Sequence, residues 1–86
     1  MAVILSAESI TSVGRIVLVH RKQARLSRIA LADIAGVGKT VVYDIEKGKN
    51  TVRLNTLLKV LGALNITISL DSPLMARYEA DDDTQS

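Results

Sequence analysis

The sequence of 86 residues has no cysteine, no phenylalanine and no tryptophan, and it has one proline and one histidine. Without cysteine there are no disulfides and no thiolate metal sites, a pattern that fits a reducing compartment. His20 is the sole imidazole, so no histidine metal cluster and no Cys/His pair is available, and any Ser/His pair must use His20 itself. These absences disfavour most enzyme classes: no catalytic residue, no metal ligand set and no cofactor is implied. Aromatic residues are only Tyr43 and Tyr78, so the core is expected from Leu, Ile, Val and Ala. No apolar run reaches the ~18–20 residues of a membrane span. Met1 to Leu5 is apolar but lacks a basic flank, and Arg15 interrupts any longer run, which argues against a signal peptide. The expectation is a soluble cytoplasmic protein with no membrane partner.

What is present is enough for one small domain. Hydrophobic residues make up 48% of the chain, too many for a disordered segment. The net charge is only +2, but its distribution is uneven. Glu79, Asp81, Asp82 and Asp83 crowd the end, while residues 1–78 hold all 11 Lys and Arg against five acids, a net of +6. Arg21, Lys22, Arg25 and Arg28 fall within eight positions. A basic body attracts polyanions such as DNA, although a solvated helix end can be basic for no such reason.

Residues 1–8 read as an N-terminal arm or a short strand. Ser9 is placed to cap a first helix over 10–24, where Val13, Ile16, Val17 and His20 recur on one face. This places His20 on the apolar side, in a packing role. Ser27 caps a second helix over 28–35, which Gly36 stops. A third helix runs from Lys39 to Glu46 and closes at Gly48. Leu54, Leu57, Leu58, Leu61 and Leu64 give a fourth over 54–64, ended by Asn65. The period then changes: Ile66-Thr67-Ile68-Ser69-Leu70 alternates as a strand does. A lone strand leaves backbone groups unpaired, so it needs a partner, either residues 2–5 or a second copy of the chain. Residues 73–86 are polar and acidic and are expected to be disordered.

The informative stretch is Leu26 to Gly48, LSRIALADIAGVGKTVVYDIEKG. Two short helices are joined by Ala35-Gly36-Val37-Gly38, the pattern of a helix-turn-helix unit. Ala32 is small enough for close helix approach, Gly36 takes the positive φ of the turn, and Val37 plugs the corner. Val42 and Ile45 then face the core, which turns Lys39, Thr40, Tyr43 and Asp44 outward. Gly38-Lys39-Thr40 mimics the end of a phosphate-binding loop, but Asp33 stands where that motif needs its first glycine, and a helix rather than a strand precedes it.

At these residues the chain resembles the Cro/C1-type (XRE) helix-turn-helix family. Leu26, Ser27, Leu31, Ala32, Ala35, Gly36, Val37, Val42, Ile45, Glu46 and Gly48 match the family's pattern in register, and Leu54 to Leu64 match its final helix. Three positions depart from it: Arg28 replaces the usual Gln, and Gly38 and Arg53 replace the usual Ser or Thr caps. The strand directly after the last helix makes the chain most similar to HipB-like antitoxins and their repressor relatives.

The resemblance implies a mainly α fold, a compact four- to five-helix (lambda-repressor-like) domain over 9–64, followed by a dimerisation strand over 65–72. It implies a homodimer on a palindromic operator, nucleoid association in a bacterium, and autoregulation of an operon encoding a toxin, often a HipA-like kinase. With the charge pattern it places Lys39, Thr40, Tyr43 and Asp44 at base edges, and Ser27, Arg28, Gly38, Lys49 and Arg53 at phosphates, with Arg25 beside them. Ile66, Ile68 and Leu70 form the dimer strand. Glu46 falls where the family keeps an acid, and an ion pair with Arg21 is expected there. A stand-alone repressor remains an alternative, as does an interaction module that inhibits a partner enzyme with little DNA binding.

Overall fold

Five helices make up the ordered structure of residues 2–82 in the computed structural model: α1 (Ser12–Gln23), α2 (Arg28–Ala35), α3 (Val41–Glu46), α4 (Leu54–Ala63) and α5 (Met75–Asp82). The apolar stripes of the first four close on one core of Val17, Leu31, Ala32, Val42, Ile45, Val60 and Leu61. Leu26, Val37, Leu57 and Ile66 pack on its margin. Helix α1 lies against α3, and α2 lies against both α3 and α4. The corner is built as its sequence demands. The Ser27 hydroxyl accepts from the Ala30 N–H at 3.0 Å, satisfying an orphan donor of α2. Gly36 takes φ 72° at the other end, and the Val37 N–H reaches back to the Ala32 carbonyl at 3.0 Å.

The same left-handed stop recurs. Arg25 after α1, Gly48 after α3 and Asn65 after α4 all have positive φ. In each case the next residue's N–H bonds back five residues: Leu26 to Arg21, Lys49 to Asp44 and Ile66 to Leu61, at 2.9–3.1 Å. Glycine or asparagine occupies three of the four stops, and Arg25 carries a side chain where L-residues are disfavoured. Gly14 has a different purpose. It sits in the first turn of α1, where a Cβ would collide with the Ile45 carbonyl oxygen and come within 3.0 Å of the Glu46 carbonyl oxygen. The absence of a side chain lets α1 touch the backbone at the end of α3.

The structure differs from the sequence expectations in several places. Helix α1 begins at Ser12 rather than residue 10, because Ser9 organises the preceding turn: its hydroxyl accepts from the Ser6 N–H at 2.9 Å and its carbonyl accepts from the Ser12 N–H at 2.9 Å. Helix α3 begins at Val41, and Gly38-Lys39-Thr40 forms the turn before it, where the Val41 N–H meets the Gly38 carbonyl at 3.2 Å. His20 is exposed rather than packed, and its Nδ1 lies 2.7 Å from the Ile16 carbonyl oxygen one turn back. Residues 2–5 and 66–70 form no strand in the single chain, and neither supplies a ladder to the other. The expected disorder over 73–82 is replaced by α5. Ser72 accepts from the Leu74 N–H at 3.2 Å and Pro73 opens the first turn, while Met, Ala, Arg and Glu propagate it. The rest of the expected acidic tail, residues 83–86, and Met1 lie outside the described residues.

Candidate nucleic-acid interface

The site is organised from below by one buried carboxylate. Only 3% of the Glu46 side chain is exposed, and two arginines hold it. Arg21 donates from Nε to Oε2 at 2.6 Å and from Nη2 to Oε1 at 3.2 Å, the bidentate fork that a planar guanidinium offers a carboxylate. Its remaining Nη1 donates to the Leu26 carbonyl at 2.9 Å. Arg28 adds a third bond, Nε to Oε1 at 3.0 Å. These bonds join the end of α1, the start of α2 and the end of α3 in one polar knot. Burial pushes the Glu46 carboxyl up, but the hydrogen bonds and positive charges of Arg21 and Arg28 outweigh it and hold the group below its ordinary value. The expected pair with Arg21 is therefore present, and Arg28 joins it.

Above this knot, Val42 and Ile45 of α3 are buried, while Tyr43 of α3, 46% exposed, and Lys39 and Thr40 of the turn before it face outward. Asp44 is half-buried, and its carboxylate lies 3.7 Å from the Lys49 ammonium. The Tyr43 ring is flanked by two cations: the Arg28 guanidinium carbon lies 5.3 Å from the ring centroid and the Lys47 ammonium 5.4 Å away, both within cation–π range. Lys47 was not among the sequence candidates, although its spacing of four from Tyr43 on a helix is the available signal.

The structure thus brings Arg28, Tyr43, Asp44, Lys47 and Lys49 together around α3. Lys39 and Gly38 sit exposed in the turn leading into it, and Ser27 spends its hydroxyl on the α2 cap beside them. Arg53 is exposed at the start of α4 with an extended backbone and caps nothing with its side chain. Ile68 and Leu70 are exposed, Leu70 at 82%, whereas Ile66 packs on the core. No helix among the described residues is long and apolar enough to cross a membrane.

A corner of two short helices, a capped first helix, and a second helix that with its leading turn shows Lys, Thr and Tyr above a buried ion-pair knot define a helix-turn-helix protein. A helix-turn-helix family model matches residues 20–70. The chain is 36% identical over 61 residues to an uncharacterized HTH-type transcriptional regulator, y4mF, of Sinorhizobium fredii, covering 71% of this chain and 80% of that protein. It is 34% identical over 58 residues to the immunity repressor protein of Bacillus phage phi105, covering 67% of this chain and 40% of that one. An uncharacterized HTH-type transcriptional regulator of Haemophilus influenzae is 36% identical over 53 residues, 62% of this chain and 54% of its own length. The chain thus spans about half the length of the last two relatives. A solved structure titled MDT Protein superposes with a TM-score of 0.70 over 85% of this chain and 99% of that chain, at 20% identity, a likeness of fold. The chain belongs to the helix-turn-helix family of DNA-binding transcriptional regulators, of the Cro/C1 (XRE) type.

Proposed function

We propose that the chain is a sequence-specific transcriptional repressor that binds a palindromic operator as a homodimer. The observation that carries this reading is the two-sided α3 and the turn before it, with Val42 and Ile45 buried and Lys39 and Thr40 of the turn and Tyr43 of the helix exposed. In the major groove Lys39 donates to guanine O6 or N7, Thr40 serves either base type, Tyr43 meets a thymine methyl, and Asp44 accepts from cytosine N4. Lys49 partly neutralises Asp44, which eases its approach to phosphates. Ser27, Arg28, Gly38, Lys49 and Arg53 contact the backbone and set register and strength. Ile66, Ile68 and Leu70 pair with the same segment of a second copy, so that two recognition helices stand about one DNA turn (~34 Å) apart.

The finer reading is an antitoxin that represses its own operon and binds a toxin encoded beside it, a HipA-like kinase. Its support is the alternating segment Ile66 to Leu70 directly after α4, the feature that resembles HipB-like antitoxins. A stand-alone repressor is the second reading, favoured by the likeness to a phage immunity repressor.

Fluorescence anisotropy on DNA from upstream of the chain's own gene, against scrambled DNA at several salt concentrations, tests the common core of both. Tight binding that favours the upstream DNA and falls steeply with salt is expected. Equal weak binding to both DNAs overturns self-repression. Co-purification with the product of the adjacent gene then separates antitoxin from stand-alone repressor.

A further inference from the structure

Arg28 is drawn in three directions at once. Its Nε donates to the buried Glu46 carboxylate at 3.0 Å, its guanidinium carbon lies over the Tyr43 ring at 5.3 Å from the centroid, and 45% of its side chain is open to solvent. A residue whose sole task is to touch phosphate needs only a free cation, and Arg53 offers one without either anchor. Glu46 does not require Arg28 either, since Arg21 already grips both of its oxygens. The contact left to explain is the one with Tyr43. Tyr43 is exposed, and a tyrosine on a short helix ordinarily samples more than one rotamer. Here Arg28, tied to a nearly buried anion, and Lys47 at 5.4 Å both lie over the ring.

We propose that Arg28 is a positioning residue for base recognition: tethered by Glu46, it clamps the Tyr43 ring against Lys47 and so presents one fixed edge of the tyrosine to the DNA. The proposal rests on the DNA-reading role of α3 argued above. It gives the departure from the family's Gln at this position a physical consequence. Glutamine has no cation to hold over a ring, whereas the planar guanidinium can stack on the ring while its edge bonds a carboxylate. The clamp fixes Tyr43 before DNA arrives, which removes a rotamer-ordering cost from binding and sharpens the choice of base that the ring contacts.

Two measurements test it, on wild type, Arg28→Gln, Arg28→Lys and Tyr43→Ala, with melting curves as the fold control. The first is NMR on the free protein. Scalar couplings and ring-proton contacts are expected to give Tyr43 a single χ1 rotamer in wild type and an averaged one in Arg28→Gln. A Tyr43 already averaged in wild type, or unchanged by Arg28→Gln, overturns the clamp whatever the protein does with DNA. The second is selection from a randomised 20-base-pair duplex library. About a fivefold base preference is the low end of what one good contact gives. At one position per half-site it is expected to fall below about twofold in both Arg28→Gln and Tyr43→Ala, with the double variant no worse. Arg28→Lys is expected to keep the charge and much of the affinity but lose part of that preference. If Arg28→Gln instead weakens every sequence alike, lowers the salt slope by about one and leaves the base preference intact, Arg28 is a phosphate contact only and the proposal fails. If wild type selects no sequence at all, the DNA-reading role fails and takes the specificity role with it, while the NMR result decides independently whether Arg28 holds the ring.

Discussion

The chain has two regions built on opposite principles. From Ser12 to Ile66 four helices share one apolar core, although Val19, Ile29, Ile34, Leu54 and Leu58 stay exposed on its outside, and the one deeply placed carboxylate is saturated with donors. From Thr67 to Ala80 the apolar side chains Ile68, Leu70, Leu74 and Tyr78 stand in solvent, and α5 makes none of the principal helix packings. Both regions read as regular in the sequence. Periodicity tells which residues belong on one face, and only a second face to meet it makes that regularity a core. The body holds a recognition surface in fixed geometry, while the C-terminal region keeps its apolar groups uncommitted.

The comparison breaks most sharply at Glu46. Replacing it with Ala leaves Arg21 nearly buried without its anion, a loss of about 3–5 kcal/mol, close to the whole stability of so small a domain. Glu46→Ala is expected to be largely unfolded in circular dichroism at room temperature. The same site sets a pH dependence. Because the folded carboxyl titrates below its unfolded value of 4.5, its contribution is fully present above that pH and is lost as pH falls through the folded value. Urea titrations at stepped pH should show wild type losing stability in that acid window, and a stability that stays flat there contradicts the lowered carboxyl.

Gly14→Ala comes next. Its methyl meets backbone carbonyls that cannot rotate away, so α1 must shift from α3. Overpacking costs about 1–3 kcal/mol, and against fixed backbone atoms the cost lies at the upper end, so the ~1 kcal/mol gained in helix propensity offsets only part of it. A denaturation midpoint equal to wild type contradicts the close approach. A smaller change of opposite sign is expected at Arg25. Glycine there relieves the left-handed strain at the α1–α2 corner and stabilises by about 0.5–1 kcal/mol, the strain less the added entropy of the unfolded chain. A lower melting temperature for Arg25→Gly sinks that account.

Much of the body was legible because its signals are local. Ser27, Gly36, Gly48 and Asn65 mark helix ends by their own chemistry, and Val42 and Ile45 sit at helical spacing, so α2, the turn and the buried side of α3 follow. The Glu46–Arg21 pair, 25 residues apart in the chain, came from the register of the family pattern. What stayed hidden needed three dimensions. Gly14 looks like any weak helix residue until the α3 carbonyls lie across it. Arg25 carries no mark of its positive φ. The stack of Arg28 on Tyr43 joins two helices at an angle that no period encodes. His20 is in phase with the apolar stripe and still faces water, because the buried face of α1 passes through Gly14, Val17 and Arg21 and leaves His20 to one side.

The smallest effect expected is also the most telling for the C-terminal region. Truncation after Asp71 removes α5, which neither closes the core nor holds the ion-pair knot. At micromolar dilution, where a weak dimer dissociates, the truncated chain should unfold within ~0.5 kcal/mol of the full one, the range of a surface change. A larger drop means that α5 packs on the body in solution and the two regions are one. Ile68→Pro asks the complementary question. It leaves the core untouched but removes a backbone donor from the segment assigned to pairing. Sedimentation should then show a weaker dimer with an unchanged monomer melt. If the variant still sediments as a full dimer, the second copy binds elsewhere, and the exposed alternation of Ile68 and Leu70 has another purpose. If dimerisation and operator affinity fall together while the melt holds, the two regions divide the work: the body fixes which bases are read, and the uncommitted segment fixes how far apart two such readers stand.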